Sequence, residues 1–157
     1  MKHWIEQRIP LGCDAAREKS WLLWGAIAGF LLNFRFIVAY FSARSRLFPY
    51  VNGRKVFWEG AKIEPFTELL GFSLWGCLLA AVAMVGLAAW HYGCHFRDSK
   101  SIYTMRRLPQ RWELLRRCLT VPALAAAVYL LEAAVLLAID LAIYFLATPA
   151  QALPGIL

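Results

Sequence analysis

Charge is scarce in this sequence. Charged residues make up 17% of it, Asp and Glu number ten against seventeen Lys and Arg, and 61% of the chain is hydrophobic. Soluble domains carry about 25% charged residues, so too little polar surface is available here to cover a globule in water. A cleavable signal peptide is also missing. The first twenty residues mix Lys2, Glu6, Arg8, Asp14 and Glu18 with no apolar core before Trp21, and the first apolar block reads as an uncleaved anchor. Of the four cysteines, none lies between Ser42 and Pro65, which leaves no disulfide framework. There is no G-x-x-x-x-G-K-[ST] phosphate loop, no G-x-S-x-G, no H-E-x-x-H and no paired C-x-x-C. Those absences exclude an ATPase acting alone and the common hydrolase and zinc-protease designs. The expectation is a chain that is not an enzyme, needs no cofactor and takes no nucleic-acid partner.

What is present is oil in three blocks. A helix needs about 20 mostly apolar residues to cross roughly 30 Å of hydrocarbon. Trp21–Phe41, Phe66–Trp90 and Leu119–Ala147 each meet that length. The predicted fold is an all-α integral membrane protein of one domain. Residues 1–20 form a leader, 21–41 the first span, 42–65 an outer loop, and 66–90 the second span. Residues 91–118 form a basic loop, 119–147 the third span and 148–157 an outer tail. The leader and the basic loop share one side and together hold eleven Lys and Arg against five in residues 42–65. The positive-inside rule therefore predicts a cytoplasmic N-terminus in a multi-pass protein of a bacterial plasma (inner) membrane.

Local signals refine the connections. Residues HWIEQRIPLG read as an interfacial piece ending at Pro10 and Gly12, after which Asp14 can cap a helix running through AAREKS into the first span. In FPYVNGRKVFW, Asn52-Gly53 between aromatic-rich runs is a hairpin signal, with an irregular loop as the alternative. In the basic loop Ser99 can cap a short helix ending near Leu108-Pro109, and Pro109 can open a second one through QRWELLRRC, with a bend at Thr120 and Pro122.

Ionisable groups inside a span are the usual places for function, because each is costly there unless paired or wet. Arg35 in the first span and Asp140 in the third lie at similar depths from the outer ends, so an Arg35–Asp140 ion pair is expected, either lining a pathway or fixing helix packing. Glu132, near the middle of the third span, has no evident partner in the chain and faces a cavity or another subunit. Glu68 is expected to stay solvated at the interface. His91, Cys94 and His95 in HYGCHF fall within about a turn, a weak pattern for metal or haem beside the plainer reading of an interfacial belt.

The most charged stretch is Asp98–Cys118, DSKSIYTMRRLPQRWELLRRC. It reads as a positive-inside anchor, a patch for anionic lipid, or a docking element. Ile102, Tyr103, Met105 and Leu108 interrupt its charges at helical spacing, which a purely electrostatic anchor does not need and a protein interface does. Ser99-Lys100-Ser101, then Arg106-Arg107-Leu108-Pro109, then Arg111, Glu113, Leu114 and Arg116 resemble the loop between the second and third spans in membrane subunits of type-2 ABC exporters. In that family this loop forms a coupling helix held in a groove of the ATP-binding subunit, and a short interfacial helix precedes the first span. The resemblance implies an export subunit whose Lys100, Tyr103, Arg106, Arg107, Leu108 and Pro109 touch an ATP-binding partner. Such permeases usually have more spans, so it also implies a half-sized or truncated copy that works with another membrane subunit or with itself. The alternative is a small accessory or scaffold protein that binds lipid or another membrane complex without ATP coupling. A metal- or haem-binding redox subunit, resting on His91, Cys94 and His95, is a third class.

Overall fold

Each apolar block winds into a long helix. The computed structural model describes residues 15–51, 53–58, 60–97 and 112–154. Helix α1 runs over Ala15–Arg46, followed by the two-residue strands β1 (Tyr50–Val51) and β2 (Arg54–Lys55). Short helix α2 (Phe66–Leu70) leads to α3 (Trp75–Arg97), then α4 (Glu113–Ala147) and a 3₁₀ turn at Ala150–Ala152. All three long helices are long and apolar enough to cross a membrane. At about 1.5 Å per residue α1 and α4 reach roughly 50 Å, so each would tilt or project beyond the hydrocarbon. The leader through Asp14, the basic segment 98–111 with its six expected docking residues, and residues 155–157 lie outside the described residues.

Large apolar side chains cover the outside of the helices, unlike in a soluble bundle, and several polar ones lie inside. Trp24, Phe30, Val85, Trp112 and Leu146 point outward, while Glu18, Asn33, Ser73, His91, Asp140 and Thr148 are buried. Water solvates such an apolar exterior poorly, whereas hydrocarbon accepts it and drives polar groups to pair inside. On α1 the buried side follows helical spacing through Asn33, Phe36, Tyr40 and Ala43, with half-buried Leu22 and Gly25 continuing the stripe back to Glu18.

Two expectations about the spans change. The second one does not run unbroken from Phe66. Helix α2 stops at Gly71, whose φ of 44° suits glycine, and whose N–H bonds back to the Thr67 carbonyl at 3.1 Å. The chain turns through residues 71–74 before α3 begins, so the stretch long and apolar enough to cross a membrane is Trp75–Gly93. Nor is there a separate amphipathic piece before the third span: from Glu113 onward it is one helix with Pro122 inside it.

The hairpin forms, with Tyr50 opposite Lys55 and Val51 opposite Arg54. Gly53 takes φ 77°, as a tight hairpin turn of this kind requires. Phe48 and Phe57 pack together with a ring separation of 5.7 Å and rest on the core rather than lying flat on a surface, while Tyr50 and Trp58 remain exposed. That core, at the hairpin end of the bundle, gathers Phe36, Tyr40, Leu47, Ile63, Leu69 and Tyr144. Phe66 meets Phe36 and Tyr144 edge-on at 5.7 and 5.5 Å. Such ring pairs contribute about 0.5–1.5 kcal/mol each beyond the area they bury. Polar ends are satisfied around it: Tyr40 Oη meets Thr148 Oγ1 at 3.0 Å, Tyr144 donates to the Glu64 carbonyl at 3.1 Å, and the Ile63 N–H to the Ala152 carbonyl at 2.9 Å.

Candidate functional site: a polar seam along α1

Following the buried stripe of α1 from the basic-loop end toward the hairpin end, polar groups recur at nearly every turn. First comes Glu18. Its Oε1 lies 2.8 Å from His91 Nε2, and His91 Nδ1 lies 3.4 Å from the Cys118 carbonyl oxygen. That carbonyl would normally receive the N–H of residue 122, but Pro122 has none. An Nδ1–H on His91 can supply the donor that the proline removed, while Nε2 pairs with Glu18. His91 ties α1, α3 and α4 together where the basic loop leaves the bundle.

One turn on, Tyr129 of α4 donates to the Leu22 carbonyl at 2.9 Å. Next the backbones of α1 and α3 nearly touch. A Cβ on Gly76 would sit 2.9 Å from Gly29 Cα and 3.1 Å from the Ala28 carbonyl oxygen, and a Cβ on Gly29 would sit 2.6 Å from Cys77 Sγ. Small residues permit this approach, which favours helix association in lipid. Glu132 reaches the same place, with its Oε1 3.4 Å from that hypothetical Gly29 Cβ. It is half-buried and makes no hydrogen bond or ion pair among the described residues. One turn further, Asn33 Nδ2 donates to Asp140 Oδ1 at 3.3 Å.

The Arg35–Asp140 ion pair expected from matching depth is not made. Asp140 sits on the buried side facing Asn33, whereas Arg35, two positions later, is rotated about 200° around the helix and exposed. Its guanidinium lies over the Phe72 ring at 5.8 Å and against Gly71, where a Cβ would come within 2.8 Å of Nη1. Matching depth without matching azimuth gave the wrong partner. Glu68 is exposed.

His91 is not part of an interfacial belt; it is 1% exposed, and both ring nitrogens already have partners. Cys94 and His95 lie on α3, but their side chains are outside the described set, and no metal-binding group of three His, Cys, Asp or Glu occurs among the described residues.

Sequence reasoning missed Glu18, Asn33, Tyr129 and the glycine pair as members of one line. Two signals could have found them: positions 18, 22, 25, 29 and 33 share one helical face, and Pro122 frees the carbonyl four residues earlier. No protein-family model, curated protein or solved structure matches this chain.

Proposed function

We propose that this chain is a membrane subunit of an ABC-type exporter and couples a separate ATP-binding subunit to substrate movement. The observation that carries the reading is the segment between α3 and α4, where arginines alternate with apolar and aromatic residues beside two helices able to cross a membrane. In this reading the N-terminus and the basic loop are cytoplasmic, in the plasma (inner) membrane, and Lys100, Tyr103, Arg106, Arg107, Leu108 and Pro109 dock on the ATPase. The three-helix tie at His91 supports it mechanically. His91 of α3 bonds both to Glu18 of α1 and to the Cys118 carbonyl of α4, so a push on the loop is passed to all three helices rather than absorbed by one helix end. Glu132, Asp140 and Arg35 brace or line the pathway, and the apolar exterior is completed by lipid and by another membrane subunit or a second copy.

The test is copurification in mild detergent. A nucleotide-binding chain should copurify with the native protein and be lost from the Arg106→Glu/Arg107→Glu variant. Equal retention by that variant refutes docking through the loop. Absence of any nucleotide-binding chain from the native preparation favours the accessory, lipid-binding role instead.

A further inference from the structure

Among the described residues four buried side-chain oxygens have no hydrogen-bond partner; Glu18 Oε2 belongs to the His91 end of the bundle, and the other three lie toward the hairpin end. Asp140 is 0% exposed, Asn33 4% and Ser73 0%. Asp140 Oδ2, Asn33 Oδ1 and Ser73 Oγ all lack hydrogen bonds. The helix register sets buried Ser73 at about the height of the other two. Leu32 of α1 reaches Gly76, Arg35 reaches Gly71, and Asn33, between them, therefore lies at the height of Ser73. Asn33 is bonded directly to Asp140. A single amide N–H is poor compensation for a buried carboxylate, and no Lys or Arg among the described residues pairs with it.

All three unpaired atoms are oxygens, and the group carries one negative charge when Asp140 is ionised. What such a set lacks is one positive charge offered to oxygen. We infer that Asp140, Asn33 and Ser73 form a binding site for a single monovalent cation, a proton or a sodium ion, within the helix bundle. A proton on Oδ2 turns the carboxyl into a donor for which Asn33 Oδ1 and Ser73 Oγ are waiting acceptors. A sodium ion takes the same oxygens as ligands. The charged and titratable groups around the site are otherwise engaged or turned away. Arg35 and Tyr40 on α1 contact Phe72 and Thr148, Tyr144 on α4 bonds to Glu64, and Cys77 on α3 and Glu132 on α4 lie about one and two turns away along their helices. The site does not depend on docking to an ATPase and stands or falls separately.

Dicyclohexylcarbodiimide, an apolar reagent that adds to protonated carboxyls, distinguishes the two ions. The intact protein is treated in detergent at several pH values, in sodium chloride or in choline chloride, and Asp140 modification is read by peptide mass spectrometry. Melting midpoints of the native protein and Asp140→Asn are recorded in the same buffers. A proton site gives labelling at Asp140 that falls about tenfold per pH unit above its midpoint, equally in both salts. A sodium site gives labelling that sodium suppresses at fixed pH, together with a sodium-dependent rise in the native melting midpoint that Asp140→Asn abolishes. Asp140 that is unlabelled throughout, with native and Asp140→Asn midpoints responding alike to pH and to sodium, overturns the proposal.

Discussion

Replacing Gly76 by alanine puts the glycine crossing to a quantitative test. The added Cβ meets backbone on both sides, Gly29 Cα at 2.9 Å and the Ala28 carbonyl oxygen at 3.1 Å, besides Leu32 Cδ1 at 2.9 Å. Real Cβ contacts are not this short, and backbone cannot swing aside as a side-chain tip can. Overpacking of this kind costs about 1–3 kcal/mol. Alanine also favours the helix over glycine by about 1 kcal/mol, which would mask part of the loss. Gly86 supplies the control. It lies on the same helix with nothing within 4 Å of its would-be Cβ, so Gly86→Ala carries the propensity gain alone. The difference between the two variants isolates the clash, about 1–3 kcal/mol or roughly 5- to 150-fold in the folded-to-unfolded ratio. Unfolding by SDS in mixed micelles, followed by tryptophan fluorescence, measures it. Gly29→Ala gives a matched contrast. There the obstacle is Cys77 Sγ at 2.6 Å, and the next nearest atoms stand at 3.4 and 3.5 Å. Cys77→Ala should therefore rescue Gly29→Ala, whereas Leu32→Ala should not rescue Gly76→Ala. Gly76→Ala matching Gly86→Ala in stability, or a Gly29→Ala/Cys77→Ala pair that is merely additive, would refute the crossing.

In the same assay Tyr129→Phe keeps the ring and loses the bond to the Leu22 carbonyl, for a cost of about 1 kcal/mol; an unchanged midpoint would mean the bond contributes nothing. His91→Ala strands the buried Glu18 carboxyl and should cost about 3–5 kcal/mol. Pro122→Ala in that background returns an N–H to the Cys118 carbonyl and should recover about 1 kcal/mol, a recovery that fails if the proline is not what freed the carbonyl. In intact cells an impermeant maleimide should label a cysteine placed at exposed Tyr50, and should reach one at Arg106 only after permeabilisation; the reverse pattern would invert the topology.

The three long helices were legible because spans are written in composition: a run of some twenty apolar residues has few other uses, and neighbours matter little to it. The Asn52-Gly53 hairpin was legible for a similar reason, since a turn needing positive φ is set by local residues. Partnerships across helices were another matter. Depth along a helix can be counted from a sequence, and it placed Arg35 near the level of Asp140. Azimuth at an unknown crossing cannot be counted in the same way, and it is what gave Asp140 to Asn33 instead. His91 was misplaced because a histidine next to aromatic residues near a span end resembles a membrane-surface residue. Only the proline four residues after Cys118, on a different helix, shows why a buried donor is useful there. The break at Gly71 was hidden because FTELLGFSLWG is apolar apart from Thr67, Glu68 and Ser73, and hydropathy does not register a change of direction.

The near-touching glycines also set how α3 can move. Where two backbones meet at one point, rotation about that point disturbs the fewest contacts, and Gly76 lies one residue into α3. The other fastening described for this helix, His91, is fifteen positions away, about 22 Å along the axis. Between these two points α3 packs along α4, with Met84 in one cluster with Ala125 and Tyr129, so it is held over its length as well as near its ends. His91 is thus the fastening of α3 that lies nearest to the segment leading into the arginines, and it holds that end to α1 and α4 at once.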